Sequence, residues 1–361
     1  MRICIISDIH ANSDALKKVL DHANKREVTH YYFLGDLIDY GPDPVGVINA
    51  IAELKGTGNL LMVYGNHYGY YHQIEKIKME KMYSHDKIMV LGKQYTFAEL
   101  WKEVAASWNE RQDRDFDLTM QKLHILTNIF MRERSYLVNN GHAIDSIIRN
   151  LLSIDTETRK FALEWYLEDG KRQAINYGPL TYDYGVTHAI HILLHGAFLN
   201  ASGQYVYPWH DGFWLRPNFI DPLKAIKSSQ YHRSCVMFGH SHIPFYLPLD
   251  DADNVEHIDP AFIRYAVPLP LGSWTTIINP GSVGQPRDLD PRTAYAILDV
   301  DANTITYYRL KYDLRRNVRR MRRYGYPDKL IQQLQNADFP EEMPDNFREV
   351  LHMRKAQEGS D

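Results

Sequence analysis

Cysteine is almost missing from this chain of 361 residues: Cys4 and Cys235 are the only two. Both stand in apolar, strand-like runs, which reads as two small buried thiols and excludes a disulfide framework. Long apolar runs are missing too, since no stretch approaches the roughly 20 apolar residues that a membrane span requires. Nor does the chain open on a charged leader and a cleavable apolar segment: Met1-Arg2 leads straight into Ile3-Cys4-Ile5-Ile6 and Ser7-Asp8. The cytoplasm is therefore the expected compartment, with no membrane partner. An excess of positive charge is absent as well. The 41 Lys and Arg against 45 Asp and Glu leave a formal net charge of −4, which speaks against a globally basic nucleic-acid binder while leaving local basic patches open. Internal repeats and low-complexity tracts are not found. What is present is 44% apolar content, enough for a sizeable core in one large domain or two ordinary ones.

Residues 3 to 7 read as a buried strand, followed by a helix whose Leu16, Val19, Leu20 and Ala23 fall at helical spacing behind a cap at Asn12 or Ser13. A second strand at 29 to 34 ends in Gly35-Asp36, and the next helix starts at Asp43-Pro44, a cap followed by a first-turn proline. A third strand near 59 to 64 ends in Gly65-Asn66-His67. Three strand-then-loop units predict an α/β sheet with polar residues gathered at the carboxyl ends of its strands. From 68 to 185 the texture changes: Phe97 to Gln112, Asp115 to Leu137 and Thr156 to Lys171 fit helices, and the segment reads as a helical insertion. Strand character returns at 190 to 194, 234 to 238, 273 to 279, 293 to 300 and 303 to 309, the last two flanking a turn at Asp301-Ala302. Residues 311 to 335 read as helical with a break near Gly325-Tyr326-Pro327. The core is thus expected at 1–67 and 186–335, the insertion at 68–185, and a polar, frayed tail at 336–361.

Chemistry-bearing residues sit at the ends of the apolar runs. Asp8 and His10 stand two apart after the first strand, where both side chains can meet one cation. Asp36 follows the second strand, and its two oxygens can serve different metals. Asn66 follows the third with a neutral carbonyl oxygen. His195 follows Ile192-Leu193-Leu194, and Gly239-His240-Ser241-His242 follows Cys235 to Phe238 and supplies two imidazoles from one loop. Any one of these is commonly a loop Asp, a capping Asn or a surface His. Taken together they point to a metal centre. Mixed Asp, Asn and His donors suit Mn, Fe or Zn rather than calcium. Two such ions about 3.5 to 4 Å apart lower the pKa of a shared water and clamp a phosphoryl group during in-line displacement, so phosphoester hydrolysis is the expected chemistry.

In order, Asp8-Ile9-His10, Gly35-Asp36, Gly65-Asn66-His67, His195-Gly196 and Gly239-His240-Ser241-His242 resemble the motifs of the calcineurin-like metallophosphoesterase superfamily. The resemblance covers about residues 1 to 67 and 186 to 335. It implies a four-layer α/β/β/α sandwich and leaves the insertion unexplained; that segment is expected to act as a helical cap over the site. It implies that Asp8, His10, Asp36 and His242 hold one divalent ion and that Asp36, Asn66, His195 and His240 hold another, with Asp36 as the bridge and a bridging hydroxide as nucleophile. His67 would lie over the scissile phosphate, stabilising the transition state or protonating the leaving oxygen. The stretches Asp39 to Pro44 and Asn279 to Arg287 are similar to the small bacterial and archaeal phosphodiesterase branch. Tyr40 stands where protein phosphatases of the superfamily carry Arg, which makes a phosphoprotein a less expected substrate. The family usually follows the catalytic His with an acid, whereas Tyr68 follows His67; without an acidic partner the histidine's pKa would be lowered, and Asp86 or another acid of the insertion is the candidate replacement.

Further signals have ordinary alternatives. His188, His191 and His195 also fit one helical face, but a strand ending in His-Gly is the better reading, leaving His188 and His191 structural. Tyr207, Trp209, His210, Phe213 and Trp214 could stack a nucleobase or could pack a core. Arg315, Arg316, Arg319, Arg320, Arg322 and Arg323 could bind nucleic-acid phosphates, although a solvated helix is the commoner outcome. Arg287 is the candidate for holding a substrate phosphate through its bidentate fork. The expected protein is a phosphodiesterase or phosphatase for a small or nucleotide-like phosphoester. The alternative is a nucleotide or nucleic-acid binding protein, or a nuclease, that retains the metal site; oligomeric state is not legible.

Overall fold

In the computed structural model, strand β1 (Arg2–Ile6) pairs in parallel with β2 (His30–Phe33) and antiparallel with β12 (Thr293–Asp299). Both of its faces are covered, which is why Ile3-Cys4-Ile5-Ile6 is apolar without alternation. The structure describes residues 1–110, 116–133, 141–153, 180–183, 189–200, 203–226, 233–251, 263–338, 343–345, 347–349 and 351. Helix α1 (Ser13–Asn24) follows β1 and is capped by the Asn12 side chain, which accepts from Ala15 N at 3.1 Å. Helix α2 (Pro44–Gly56) is capped by Asp43, which accepts from Gly46 N at 3.2 Å. Then come β3 (Leu60–Met62) and α3 (Asn66–Met82). The 67/68 boundary read from the sequence therefore cuts through a continuous helix.

The hairpin β4 (Ile88–Val90) and β5 (Lys93–Tyr95) leads to α4 (Phe97–Glu110), α5 (Phe116–Glu133) and α6 (Gly141–Ser153). Strands β6 (Leu180–Asp183), β7 (Ala189–Leu193), β8 (Arg233–Met237), β9 (Phe245–Leu249), β10 (Pro268–Pro270) and β11 (Thr275–Asn279) follow. Between β7 and β8 lie α7 (Gly212–Leu215), a π-turn at Arg216–Ile220 and α8 (Asp221–Ile226). The described chain closes with β12, β13 (Thr304–Leu310), α9 (Leu314–Arg323) and α10 (Asp328–Asn336), the two helices broken at Gly325 to Pro327 as read from the sequence. The stretch Thr156 to Lys171, and His188, lie outside the described residues.

One sheet has the order β10-β13-β12-β1-β2-β3 and the other β6-β7-β8-β11-β9. Between them, Ile3, Ile5, Tyr32 and Leu34 meet Leu193, Cys235, Met237, Tyr246 and Ile278. The alternate residues Cys4, Ile6, Tyr31 and Phe33 face the other way, onto Leu16, Val19, Val47 and Ile51 of α1 and α2. On the far side of the second sheet, Ile190, Ile192, Val236 and Ile277 pack on Leu215, Phe219 and Leu223. The layers are α/β/β/α, as expected. Burying each large aliphatic side chain here contributes about 1.5–3 kcal/mol.

The described helices of the segment read as an insertion join the first helical layer: Phe97, Trp101, Val104, Leu123, Phe130, Ile147 and Leu151 share one core with α1, α2, α9 and α10. The segment read as a polar tail is not wholly polar in its contacts, because Met343 and Leu351 are buried with Tyr207 and Ile243, and Phe347 packs on Trp209. Both cysteines are buried, and burial pushes their thiols up. Among the described residues no helix is long and apolar enough to cross a membrane.

His191 is structural, in line with the sequence reading: it is buried between the sheets with Nδ1 3.1 Å from the Tyr32 hydroxyl. Burial lowers its pKa from 6.5 to about 4. The unfolded chain takes up this proton more readily, so the stability is fully present above the unfolded pKa and falls as pH drops toward 4. Acidification to about pH 5 is expected to cost about 2 kcal/mol through this residue. Denaturant melts at about pH 7.5 and pH 5 measure it, and His191→Gln should shrink the difference between them by that amount.

Candidate metal centre

The loops leaving β1, β2, β3, β7 and β8 are tied into one platform by backbone hydrogen bonds. Asp8 N donates to Gly35 O at 2.9 Å, His10 N to Asp36 O at 3.1 Å, and Gly239 N to His195 O at 2.9 Å. Asp8, His10, Asp36, His240 and His242 all have left-handed backbones, with φ of 52°, 46°, 58°, 64° and 60°. Such conformations cost non-glycine residues about 1–3 kcal/mol each, and their concentration at one place marks a functional centre. Two glycines give these side chains room. A Cβ on Gly65 would collide with the Asp36 carboxylate, and Gly35, at φ +104°, would put one 2.5 Å from His195 Nδ1.

All seven candidate ligands meet in this buried centre. Donor atoms of Asp8, His10 and His242 lie within 4.8 Å of one another, as do those of Asp36, His195 and His240, and of His10, Asp36 and His67. Backbone carbonyls select the imidazole tautomers. Ile38 O faces His10 Nδ1 at 3.2 Å, Gln285 O faces His242 Nδ1 at 2.5 Å, and Leu34 O faces His195 Nδ1 at 2.7 Å. A carbonyl only accepts, so each Nδ1 carries the proton and each Nε2 offers a lone pair inward. His10 Nε2 and His242 Nε2 then point at each other across 3.2 Å. His195 Nε2 lies 3.1 Å from each of Asn66 Oδ1, His240 Nδ1 and Asp36 Oδ2. Lone pairs gathered in this way, away from water, call for cations between them.

The electrostatics agree with that reading at three of the imidazoles; at His195 burial is outweighed by Asp36 and Asp8, which raise its pKa to about 9 and favour a proton on Nε2 that a bound cation would displace. Burial, followed by neighbouring positive groups, pushes His10, His240 and His242 down, keeping them neutral as ligation requires. For Asp36 burial opposes ionisation, but His195 and His67 hold its carboxyl well below the ordinary range. The mixed oxygen and imidazole donor set fits a borderline divalent ion.

A family model described as calcineurin-like phosphoesterase matches residues 1–244. The chain belongs to the calcineurin-like phosphoesterase family. It is a phosphoester hydrolase of a kind that uses divalent metal ions. This phosphoesterase is 23% identical over 336 residues to an uncharacterised protein of Methanocaldococcus jannaschii, covering 92% of this chain and 96% of the relative. Its fold is similar to that of a crystal structure of a metallophosphoesterase from Sphaerobacter thermophilus, with TM-score 0.55, 24% identity and coverage of 93% of this chain and 99% of that one. A hypothetical protein from Pyrococcus horikoshii OT3 has the same TM-score of 0.55 at 16% identity, covering 94% and 99%.

His67 heads α3, and its backbone N–H donates to Asp36 Oδ1 at 3.1 Å. The acid that faces it in the phosphoesterase is neither its chain neighbour nor Asp86, which is exposed. It is Asp39, whose Oδ2 lies 2.5 Å from His67 Nδ1. The expected lowering of the His67 pKa is therefore corrected: burial pulls it down, but Asp36 and Asp39 more than offset this and raise it. Tyr68 turns away and stacks on Tyr64, with ring centroids 4.7 Å apart. The sequence shows Asp39 only as part of a motif; its place three residues after Asp36, on the same loop leaving β2, was the available signal.

Arg287 lies in the same neighbourhood, its guanidinium within reach of the Tyr205 hydroxyl and 3.1 Å from Gln285 Oε1. Tyr40 packs against His67 at 4.8 Å, and Tyr70 packs against the same imidazole at 5.6 Å. Tyr205, absent from the sequence reading, stacks on His240 at 3.9 Å and begins a row that continues through Tyr207 and Trp209. Most of the aromatic cluster is thus a packed row. Of the arginines on α9, Arg316 pairs with Asp14 at 3.5 Å and Arg320 with Asp43 at 3.0 Å, the solvated-helix outcome.

Proposed function

We propose that this phosphoesterase hydrolyses a small or nucleotide-like phosphoester with two divalent ions, one held by Asp8, His10, Asp36 and His242 and the other by Asp36, Asn66, His195 and His240. The observation that carries the reading is the set of carbonyl-fixed imidazoles whose Nε2 lone pairs converge on one another and on Asp36. The ions, when bound, supply an activated water and neutralise phosphoryl charge. Asp36 alone lies between the two groups of donors, which suits a bridge.

The chain's own residues then do three things. His67, charged through Asp39, offers its Nε2 proton to the leaving oxygen as the bond from that oxygen to phosphorus breaks and the water oxygen bonds to phosphorus. The water's surplus proton is lost to solvent, and His67 regains its proton before the next turnover. Arg287, a fixed cation backed by Gln285, takes non-bridging phosphoryl oxygens. Tyr40, Tyr70 and Tyr205 narrow the approach, which favours a small ester over a phosphoprotein. Tyr205, exposed and stacked on His240, provides a surface suited to a base or another flat leaving group.

Hydrolysis of p-nitrophenyl phosphate and bis(p-nitrophenyl) phosphate tests this directly. Turnover is expected with added Mn, loss on chelation, and return on metal readdition. A folded, metal-loaded protein that cleaves no phosphoester offered, yet binds nucleotide or RNA, would instead make it a binding protein.

A further inference from the structure

We propose that Ser146 and Asn150, on helix α6 of the inserted segment, are positioning residues for the Asp39–His67 pair, which makes the insertion part of the catalytic apparatus. The inference rests on the hydrolytic reading above. Asp39 and Tyr40 occupy consecutive left-handed backbones, at φ 82° and 56°. Neither is glycine, so the loop is strained and needs outside restraint. That restraint comes from α6, more than 100 residues away in the chain.

Asn150 Oδ1 accepts from Asp39 N at 2.9 Å, and Ser146 Oγ accepts from Tyr40 N at 2.6 Å. The Ser146 hydroxyl is also bonded to the Asp39 carboxyl group. Asn150 Nδ2 donates to Gly41 O at 3.0 Å and to the Tyr326 hydroxyl at 3.0 Å, and that hydroxyl donates to Gly41 O at 2.9 Å. Serine and asparagine four apart share one face of the helix, and both are fully buried. Ile147, Ile148 and Leu151 anchor the helix in the core, so the two polar side chains are carried by a rigid element. Between them they hold Asp39 and Tyr40 through both N–H groups and Gly41 through its carbonyl, and thereby set where the Asp39 carboxylate meets His67 Nδ1. Arg149, between them in sequence, does a different job: it pairs with Asp145 of the same helix at 2.7 Å and ties α6 to the Tyr324 carbonyl.

A positioning role and a structural one separate in the leaving-group dependence. Proton donation matters for an alkyl ester and little for p-nitrophenolate. Ser146→Ala and Asn150→Ala are expected to lower kcat on an alkyl phosphoester roughly ten- to hundredfold, with KM within about twofold and the p-nitrophenyl ester losing less than about threefold. Ser146→Thr should restore most of the loss, and metal content should match wild type. Arg149→Met should lower the melting temperature while leaving the ratio of the two activities unchanged. Equal losses on both esters, losses that follow metal content or melting temperature, or no loss at all would overturn the inference. Should Asn150→Ala fail to fold, Ser146→Ala and its threonine rescue decide alone. An active wild type with a leaving-group-sensitive His67→Ala and indifferent Ser146 and Asn150 variants removes this inference only. A metal-loaded wild type inactive on both esters removes the hydrolytic reading and this inference with it.

Discussion

Asp36→Asn is expected to lower turnover at saturating Mn by roughly a thousandfold or more, which corresponds to about 4 kcal/mol of transition-state stabilisation. Asp36 Oδ2 lies 3.1 Å from His195 Nε2 and 4.0 Å from His10 Nε2, so one carboxylate faces both groups of imidazoles, while its Oδ1 also accepts from His67 N. An amide keeps the shape but offers one neutral oxygen in place of two charged ones, and its NH2 would face imidazole nitrogens or displace an ion. A second readout is independent of turnover. Added Mn should raise the melting temperature of wild type by mass action, and this increment should shrink or vanish in Asp36→Asn. Full activity in the variant, with two ions retained, would remove Asp36 from the centre.

The candidate ligand positions were legible because each follows an apolar strand directly. Strand ends place such residues on one edge of a layered sheet, and β1, β2 and β3 run parallel, as do β7 and β8. The layers were legible for a similar reason, since runs such as Ile3 to Ile6 are apolar on both faces only when a strand is sandwiched. What escaped the sequence depends on contacts between distant segments. Strand β9 carries Pro248, which masks its strand character and is tolerated because β9 is the edge of its sheet. Helix α6 falls between the stretches named as helical from the sequence, and nothing local distinguishes Ser146 or Asn150 from polar residues on a surface helix. Tyr205 is separated by 35 positions from His240, on which it stacks. Phe347 and Leu351 stand among polar residues, and their packing depends on Tyr207, Trp209 and Ile243, far away in the chain.

Asp39 was hidden in the same way, and its effect should be large. Asp39→Asn is expected to cut kcat on an alkyl phosphoester by roughly a hundredfold, and His67→Asn by roughly a thousandfold. The Asp39 carboxylate is fully buried and accepts from His67 Nδ1 at 2.5 Å and from Tyr40 N at 2.6 Å. It fixes the His67 tautomer with Nε2 toward the metal centre, and with Asp36 it outweighs the burial that would otherwise discharge the imidazole. An asparagine there keeps the packing but loses the charge, and its amide can present NH2 to Nδ1, which selects the wrong tautomer. Two residues acting through one proton cannot contribute independently, so Asp39→Asn combined with His67→Asn should be no slower than His67→Asn alone. Additive losses in that cycle would mean that Asp39 acts elsewhere, for example by holding Tyr40 against His10. The p-nitrophenyl ester should show a much smaller effect in all three variants, because its leaving group needs little protonation. That pattern would assign the pair to the leaving oxygen, a loss different in kind from the metal-linked one expected at Asp36, whose Oδ2 lies 3.9 Å from His67 Nε2.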